Sequence, residues 1–385
     1  MMASSLAPLA LGAASATAAP AGEPAADAKP GPAQAAGVRL PADATRLRIG
    51  FGSCAKQSKP QPIWQAIGEA RPDLFLFMGD NLYADAQDVA TLEKRYEEFR
   101  AVRPLQAFRE RVPHLAMWDD HDFGDDDVGG EYPHKKRSQQ LFCDEWRVPA
   151  DSPRRTREGV YEAWRFQVGT RTVQVILPDL RYNRTALVAD PKLHQDYRLM
   201  VLKARLTGEP MTGWYVPNRD PAATMLGEAQ WAWLDQQLSQ PADVRIIGSS
   251  VQFAAEGTGW EGWANFPLER ERLAALLKKH RAEATVLLSG DMHYGDISRL
   301  DVPGGYPLWD ITSSGLTEVW DVPTPNRNRR SEVLAEVNFG LIDIDFAPAG
   351  GAAPAVTLSV CDVQGRVRLQ QVLPLDQLRF PATAA

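Results

Sequence analysis

Four apolar runs of this chain end in side chains of the kind that bind metal ions. Cys54 follows LRIGFGS, Asp80 follows DLFLFMG, and the cluster Asp119-Asp120-His121-Asp122 follows HLAMW. Asp291 and His293 follow ATVLLSG. A thiol, carboxylates and imidazoles together are the donor set of metal-assisted chemistry. In open α/β sheets ligands bind just beyond the carboxyl ends of strands, so four strands delivering such donors at one end point to a single centre.

Each piece alone also has an ordinary structural reading. Asp80 in GDNLY could cap a helix or form a turn with Asn81, Tyr83 could be a core aromatic, and Cys54 an inert buried thiol. The run DDHDFGDDD reads as a solvated loop or a loose calcium site. Counted from Asp120, it puts Asp122 third and Glu131 twelfth in the helix–loop–helix calcium pattern, but Asp125 stands sixth, where the sharp turn needs glycine. His114, His134, His194 and His280 receive no chemical role. Ser53, Ser249, Ser250, Ser289, Ser313 and Ser314 follow apolar runs, yet none lies in the G-x-S-x-G of a strained nucleophile turn. A Cys54 nucleophile with His121 as base is formally available and leaves the carboxylates unexplained.

The elements that must position these residues follow from periodicity. Strands are predicted at 47–53 and 73–80, over 114–122 running into an acidic loop, and at 284–291, with helices near 60–70, 88–101, 134–147, 227–238 and 268–280. Two β-rich runs meet in a hairpin at Gly169-Thr170, VRIIGSS is a further strand, and 182–226 reads as irregular. PLWDITSSG, FGLIDIDF, AVTLSVCDV and RVRLQQVLPL end the chain as strands. Strand–helix alternation first and strands last imply an α/β fold of two mixed β-sheets packed face to face with helices outside, a four-layer αββα sandwich.

The 385 residues are 44% hydrophobic and 24% charged, enough for a sizeable core in one catalytic domain over 45–380. With 42 Lys and Arg against 49 Asp and Glu, the net charge of −7 argues against a protein that grips nucleic acid through its backbone. No later run reaches the ~18 apolar residues of a membrane span. Residues 1–40 form an Ala/Pro-rich leader with small-x-small sites at Ala16-Thr17-Ala18-Ala19 but no basic start. They read as a signal peptide or a disordered leader, and the expectation is a periplasmic or secreted protein. Three cysteines, Cys54, Cys143 and Cys361, form no disulfide framework.

FGSC at 51–54, GDNLY at 79–83, WDDHD at 118–122, LPDLR at 177–181, GSSVQ at 248–252 and SGDMH at 289–293 resemble, in order, the alkaline phosphatase D family of calcineurin-like metallophosphoesterases. WANFP at 263–267 and TSSGL at 312–316 extend the likeness. The resemblance implies that Cys54, Tyr83 and His293 ligate one metal, that Asp80 bridges, and that Asp120 and Asp291 hold one or more further ions. GDNLY is also similar to the GDxxY of purple acid phosphatases, whose tyrosine binds ferric iron. A phenolate ligand at neutral pH suits a strongly acidic cation and carboxylates suit a hard one, so Fe3+ and Ca2+ are expected, with Zn2+ or Mn2+ compatible with the same donors.

The implied activity is hydrolysis of small phosphomonoesters or phosphodiesters by direct attack of a metal-bound hydroxide on phosphorus, without a phosphoenzyme. His121 is the candidate for stabilising the transition state or protonating the leaving alkoxide. Arg181 suits a bidentate grip on phosphate, or pairs structurally with Asp179. Asn81, Gln252 and Asn265 are weaker substrate-binding candidates by family position. The alternatives are a phospholipase-like phosphodiesterase acting on lipid head groups, and an inactive metal-stabilised binding protein. Trp214, Tyr215 and Met225 of the irregular segment are candidates to line the pocket. Because the motifs begin only at residue 51 and the chain ends in strand-like sequence, an open site is expected.

Overall fold

Strand and helix alternate through the first third of the chain: β1 (Arg46–Gly52), α1 (Ile63–Glu69), β2 (Leu74–Met78), α2 (Val89–Arg100), α3 (Arg103–Arg109), β3 (His114–Met117), the single turn α4 (Asp120–Phe123) and α5 (Lys135–Glu145). Next come the hairpin β4 (Glu162–Val168) and β5 (Arg171–Leu177), then β6 (Val188–Ala189), α6 (Tyr197–Thr207), β7 (Tyr215–Val216) and α7 (Glu228–Leu238). They are followed by β8 (Val244–Ser249), α8 (Pro267–Lys279), β9 (Thr285–Ser289), β10 (Gly295–Leu300), β11 (Leu308–Ser313), β12 (Asn338–Asp345), β13 (Ala355–Asp362) and β14 (Val367–Pro374). This computed structural model describes residues 38–193, 196–322 and 324–381. The expected leader lies outside the described residues except for Val38, Arg39 and Leu40, and His194 lies outside them as well.

The strands build two six-stranded mixed sheets, ordered β14-β13-β12-β1-β2-β3 and β10-β11-β9-β8-β5-β4. In the first, β1, β2 and β3 run parallel and β12 joins β1 antiparallel. In the second, β5, β8, β9 and β11 run parallel, with β4 and β10 as antiparallel edges. All the parallel strands of a sheet therefore end on one side, and the motif residues occupy the loops that leave those ends.

Side-chain alternation explains the layering. In β2, LFLFM is buried throughout. Leu74, Leu76 and Met78 join Ile49, Val175, Ile246 and Leu288 in a core shared by both sheets. Phe75 and Phe77 point the opposite way, into a second core with Trp64 and Ile67 of α1, Phe99 of α2 and Phe108 of α3. There the Phe75 and Phe108 rings meet edge to face at 5.2 Å. Each such buried phenyl ring contributes about 1.5–3 kcal/mol. On the second sheet, Trp231 and Leu234 of α7 and Leu273 of α8 close the core, and Gln174 of β5 reaches the Gln237 carbonyl at the end of α7 at 3.1 Å.

Several elements depart from expectation. The segment read as irregular contains α6, whose outward Leu199, Leu202 and Leu206 blur the one-sided pattern that marks a surface helix. The strand β10, GDISRL, carries too few apolar residues to announce itself, and α3 begins with Arg103-Pro104. The acidic run does not fold as a helix–loop–helix calcium loop. Asp122 turns inward to accept the backbone N–H groups of Asp80 at 3.2 Å and Asp119 at 2.6 Å, and Glu131 accepts the Gly129 N–H at 2.9 Å.

Gly79 lets the end of β2 approach the end of β3. Its φ is +99°, and a Cβ there would lie 2.6 Å from that of Asp119. Gly79→Ala is expected to lose about 2 kcal/mol or more in chemical denaturation. Gly68→Ala in α1, where an added Cβ meets nothing within 4 Å, is expected to be neutral or stabilising.

Candidate metal centre

The loops leaving the parallel strands turn inward through an uncommon backbone conformation. Cys54 (φ 64°), Asp80 (φ 49°), Asp291 (φ 70°) and His293 (φ 56°) are all left-handed, as are Asp85 (φ 46°) and Asp127 (φ 56°) beside them. Such angles are costly for non-glycine residues and gather where the surrounding structure holds them for a purpose. The Cys54 N–H meets the Gly79 carbonyl at 3.4 Å, the Ala55 N–H the Asp80 carbonyl at 2.9 Å, and the His293 N–H the Ser314 hydroxyl at 2.9 Å.

Three clusters of donor atoms result, each with its members within 4.8 Å of one another. They are Cys54, Asp80 and His293; Asp80, Asp120 and His121; and Asp120, Asp127 and Glu261. Asp80 belongs to the first two and Asp120 to the last two, so the clusters form a continuous row. Tyr83 joins the first: its phenol oxygen lies 3.0 Å from His293 Nε2 and 3.4 Å from Asp80 Oδ2, and Cys54 Sγ also lies 3.4 Å from that carboxylate oxygen. The half-buried Asp291 lines the adjoining pocket beside Asp127 and Glu261 and interacts with their charges.

Electrostatics and satisfaction both ask for a cation. Burial, with Cys54 and Asp120 adding to it, pushes the Asp80 carboxyl well above its usual range. Burial with the charges of Asp119 and Glu261 does the same to Asp291. Burial also pushes the Cys54 thiol up to about 12 and raises the Tyr83 phenol, and it holds His293 down at about 4. Among the described residues Asp80 Oδ1 has no hydrogen-bond partner. The donors present thus fit bound metal: a cation would stabilise the ionised carboxylates and fill the open position.

His121 stacks on the Tyr83 ring, with centroids 4.1 Å apart and planes at 30°. Its Nδ1 meets Asp85 Oδ1 at 2.5 Å and its Nε2 lies 3.8 Å from Asp126 on the pocket wall. Burial disfavours its charge, but Asp120 and Asp80 outweigh that and push the imidazole up to about 11.

The other expected site residues take varied places. Arg181 is fully buried among carboxylates. Its guanidinium meets Asp119 at 2.5 Å, Glu261 at 2.6 Å and Asp120 at 3.6 Å, and only its backbone N–H bonds Asp179, at 2.9 Å. Burial opposes its charge, yet Asp119 and Glu261 raise its pKa well above the usual value. Asn81 donates to the Met117 carbonyl at 2.8 Å and to Asp122 at 2.6 Å, tying β2 to β3. Gln252 donates to Thr312 at 2.9 Å, within the second sheet. Asn265 is buried, and its amide oxygen has no partner among the described residues. Of the irregular segment, Trp214 lines the pocket, Tyr215 donates to Asp127 at 2.5 Å, and Met225 sits in the inter-sheet core.

Sequence reasoning missed Glu261 and did not single out Asp127 or Asp85. Asp127 stands in the visible acidic run, whereas Glu261 lies in GWEGW, where nothing periodic marks it.

Two mixed sheets with flanking helices and a row of metal donors across their strand ends define a metallophosphoesterase-type architecture. The family model of PhoD-like phosphatases matches residues 49–338, and the chain belongs to that family. It is similar to alkaline phosphatase D of Bacillus subtilis (strain 168), 22% identical over 300 residues that cover 68% of this chain and 48% of the relative. The chain thus spans about half the length of that relative. Among solved structures it superposes on a structure of PhoD with a TM-score of 0.65 at 15% identity, over 92% of this chain and 73% of that one. It also superposes on GAP50, the anchor in the inner membrane complex of Plasmodium, with a TM-score of 0.52 at 13% identity, over 86% and 89%. At these identities the two superpositions establish the fold alone.

Arg181→Met is expected to cost about 3–5 kcal/mol in chemical denaturation, because it leaves Asp119 buried without its guanidinium and Glu261 with Arg184 alone, at 3.2 Å. A residue that gripped phosphate would instead raise KM with the unfolding midpoint unchanged.

Proposed function

We propose that this chain is a metal-dependent phosphoric ester hydrolase acting on phosphomonoesters and phosphodiesters. The observation that carries the reading is the convergence of Cys54, Asp80 and His293, each in a left-handed conformation at a strand end, with one Asp80 oxygen lacking a hydrogen-bond partner among the described residues. Family membership supports the same chemistry.

In this reading Cys54, Tyr83 and His293 hold one ion, Asp80 is shared, and Asp120 and Asp291 serve a second, with Asp127 and Glu261 beside it. Thiolate, phenolate and imidazole suit Fe3+, and the carboxylates suit Ca2+. Bound there, the ions supply activation of water and neutralisation of phosphoryl oxygens. The chain's own contribution is to hold and orient. Asp85 fixes His121 through Nδ1, and Nε2, 3.8 Å from Asp126 of the pocket lining, is the atom that can hand a proton to the leaving oxygen. The Tyr83 ring sets the tilt of that imidazole.

Metal analysis, visible absorption and p-nitrophenyl phosphate hydrolysis on one purified sample test the proposal. The expected result is iron with a broad charge-transfer band that Tyr83→Phe abolishes, and turnover that His121→Ala lowers roughly 10²–10⁴-fold. Colourless, active protein holding zinc or manganese would keep the hydrolase and remove the iron. Protein that stays metal-free and inactive after metal addition would overturn the reading.

One observation favours a second reading, hydrolysis at lipid head groups. Leu199, Leu202 and Leu206 are 65%, 54% and 76% exposed on one face of α6, and Tyr197 of the same helix lines the pocket. Arg198 and Lys203 flank that face, the pattern of a helix that lies on an anionic bilayer. Binding to phosphatidylglycerol vesicles that falls roughly fivefold or more in a Leu202→Ser/Leu206→Ser variant is the expected result. No binding by the unaltered protein would remove this reading.

A further inference from the structure

The row of donor atoms is only one side of the pocket. The void measures about 370 Å³, in the range of sites that hold whole small molecules. Asp291 and His293 lie on one side, and Tyr197, Trp214, Trp260 and Trp320 also line it. The indoles follow one another nearly at right angles: Trp214 and Trp260 at 5.0 Å and 68°, Trp260 and Trp320 at 6.0 Å and 70°. Tyr197 continues the row at 5.8 Å from Trp320. The rings therefore form one continuous edge-to-face wall of the void rather than a parallel stack. The three tryptophans are half-buried, so ring surface remains in contact with the void.

The wall is braced rather than loose. The Trp320 N–H donates to the carbonyl of His293 at 2.8 Å, which fixes the wall to the metal-binding loop. Trp260 Nε1 donates to the Met211 carbonyl at 3.1 Å. On either side of Trp214, the Gly213 N–H meets the Thr258 carbonyl at 2.9 Å and the Tyr215 N–H the Gly259 carbonyl at 2.7 Å. That pairing brings two glycines into contact, since a Cβ on Gly213 would stand 2.3 Å from the Gly259 carbonyl oxygen. Trp260 and Trp320 also pack against the small core of Ala204, Met211 and Val322, which holds the wall from behind.

We infer that the site takes phosphoric esters whose alcohol carries a planar ring, with the ring held against the Trp214–Trp260–Trp320 wall and the phosphoryl group beside Asp291 and His293. This rests on the hydrolase reading above and adds the class of substrate. The attraction is ring stacking and burial, which acts on any flat π-face and takes no part in bond breaking. Aryl esters and nucleotides share this chemistry.

Adenosine 5′-monophosphate and ribose 5-phosphate present the same primary alkoxide and phosphate and differ only in the ring. Their affinities for the metal-loaded full chain, by calorimetry and by quenching of indole fluorescence, are the first readout, and kcat/KM is the second. The nucleotide is expected to bind about tenfold tighter or more, and Trp260→Ala or Trp320→Ala to bring that ratio close to one. 2-Naphthyl phosphate binding that weakens in parallel extends the class to aryl esters, whereas its indifference narrows the class to nucleotides. Equal affinities for the nucleotide and the sugar phosphate would overturn the inference, and so would a ratio that survives both substitutions. The ligand comparison on the unaltered protein decides the matter even if a variant fails to fold. Discrimination in binding without hydrolysis of either ester would overturn the hydrolase reading and keep the ring-binding wall.

Discussion

Arg181 joins loops from three strands at one buried point. It leaves the end of β5, its guanidinium meets Asp119 and Asp120 beyond β3, and it meets Glu261 beyond β8, with no surface exposed to water. β3 belongs to one sheet and β5 and β8 to the other, so this ion cluster fastens the two sheets together at the end that carries the site. Buried charges of this kind need partners, and Arg184, 3.2 Å from Glu261, is a second guanidinium in the cluster. Burial and the neighbouring acids still raise the pKa values of Asp80, Asp127 and Asp291, so a bound cation would favour their ionised forms.

The backbone carries part of the same burden. A strand that continued straight past Gly52 or Met78 would send its next side chains alternately to the two faces of the sheet. A left-handed residue at the strand end breaks that alternation and redirects the donor toward the gap between the sheets. Each such residue costs of order 1–3 kcal/mol, and the inter-sheet core from Ile49 to Val360 supplies the stability that offsets it. The site is strained because the rest of the molecule is well packed.

Metal donors and aromatic wall come from different kinds of structure. The donors sit on loops that leave the parallel strands directly. The wall is built from the segment between β5 and α7 together with the loops at 258–260 and around Trp320. These pieces are joined by a few backbone hydrogen bonds and the Gly213–Gly259 contact. The metal-donor row is thus tied directly to the sheets, and the aromatic wall to loops that reach it through Trp320 and the loop that also carries Glu261.

The layered α/β fold, the strand order of the motifs and the donor residues were legible in the amino-acid pattern. Buried strands announce themselves as apolar runs, and a donor just past such a run has its location set by the strand's end. Cys54, Asp80, Tyr83, Asp120, His121 and His293 could be brought to one place on that basis, together with family likeness. Glu261 could not, because it lies in an aperiodic loop and gains its meaning only from Arg181 and Asp127, far away in the chain. The role of Arg181 was equally hidden: an arginine after a strand looks the same whether it faces a substrate or three buried carboxylates. α6 escaped notice because its apolar residues lie on both faces. Local periodicity determined which segments become strands and where donors leave them; the pairing of charges between the two sheets, and of rings between loops far apart in the chain, was decided by tertiary structure alone, because those energies depend on distances that only the folded chain creates.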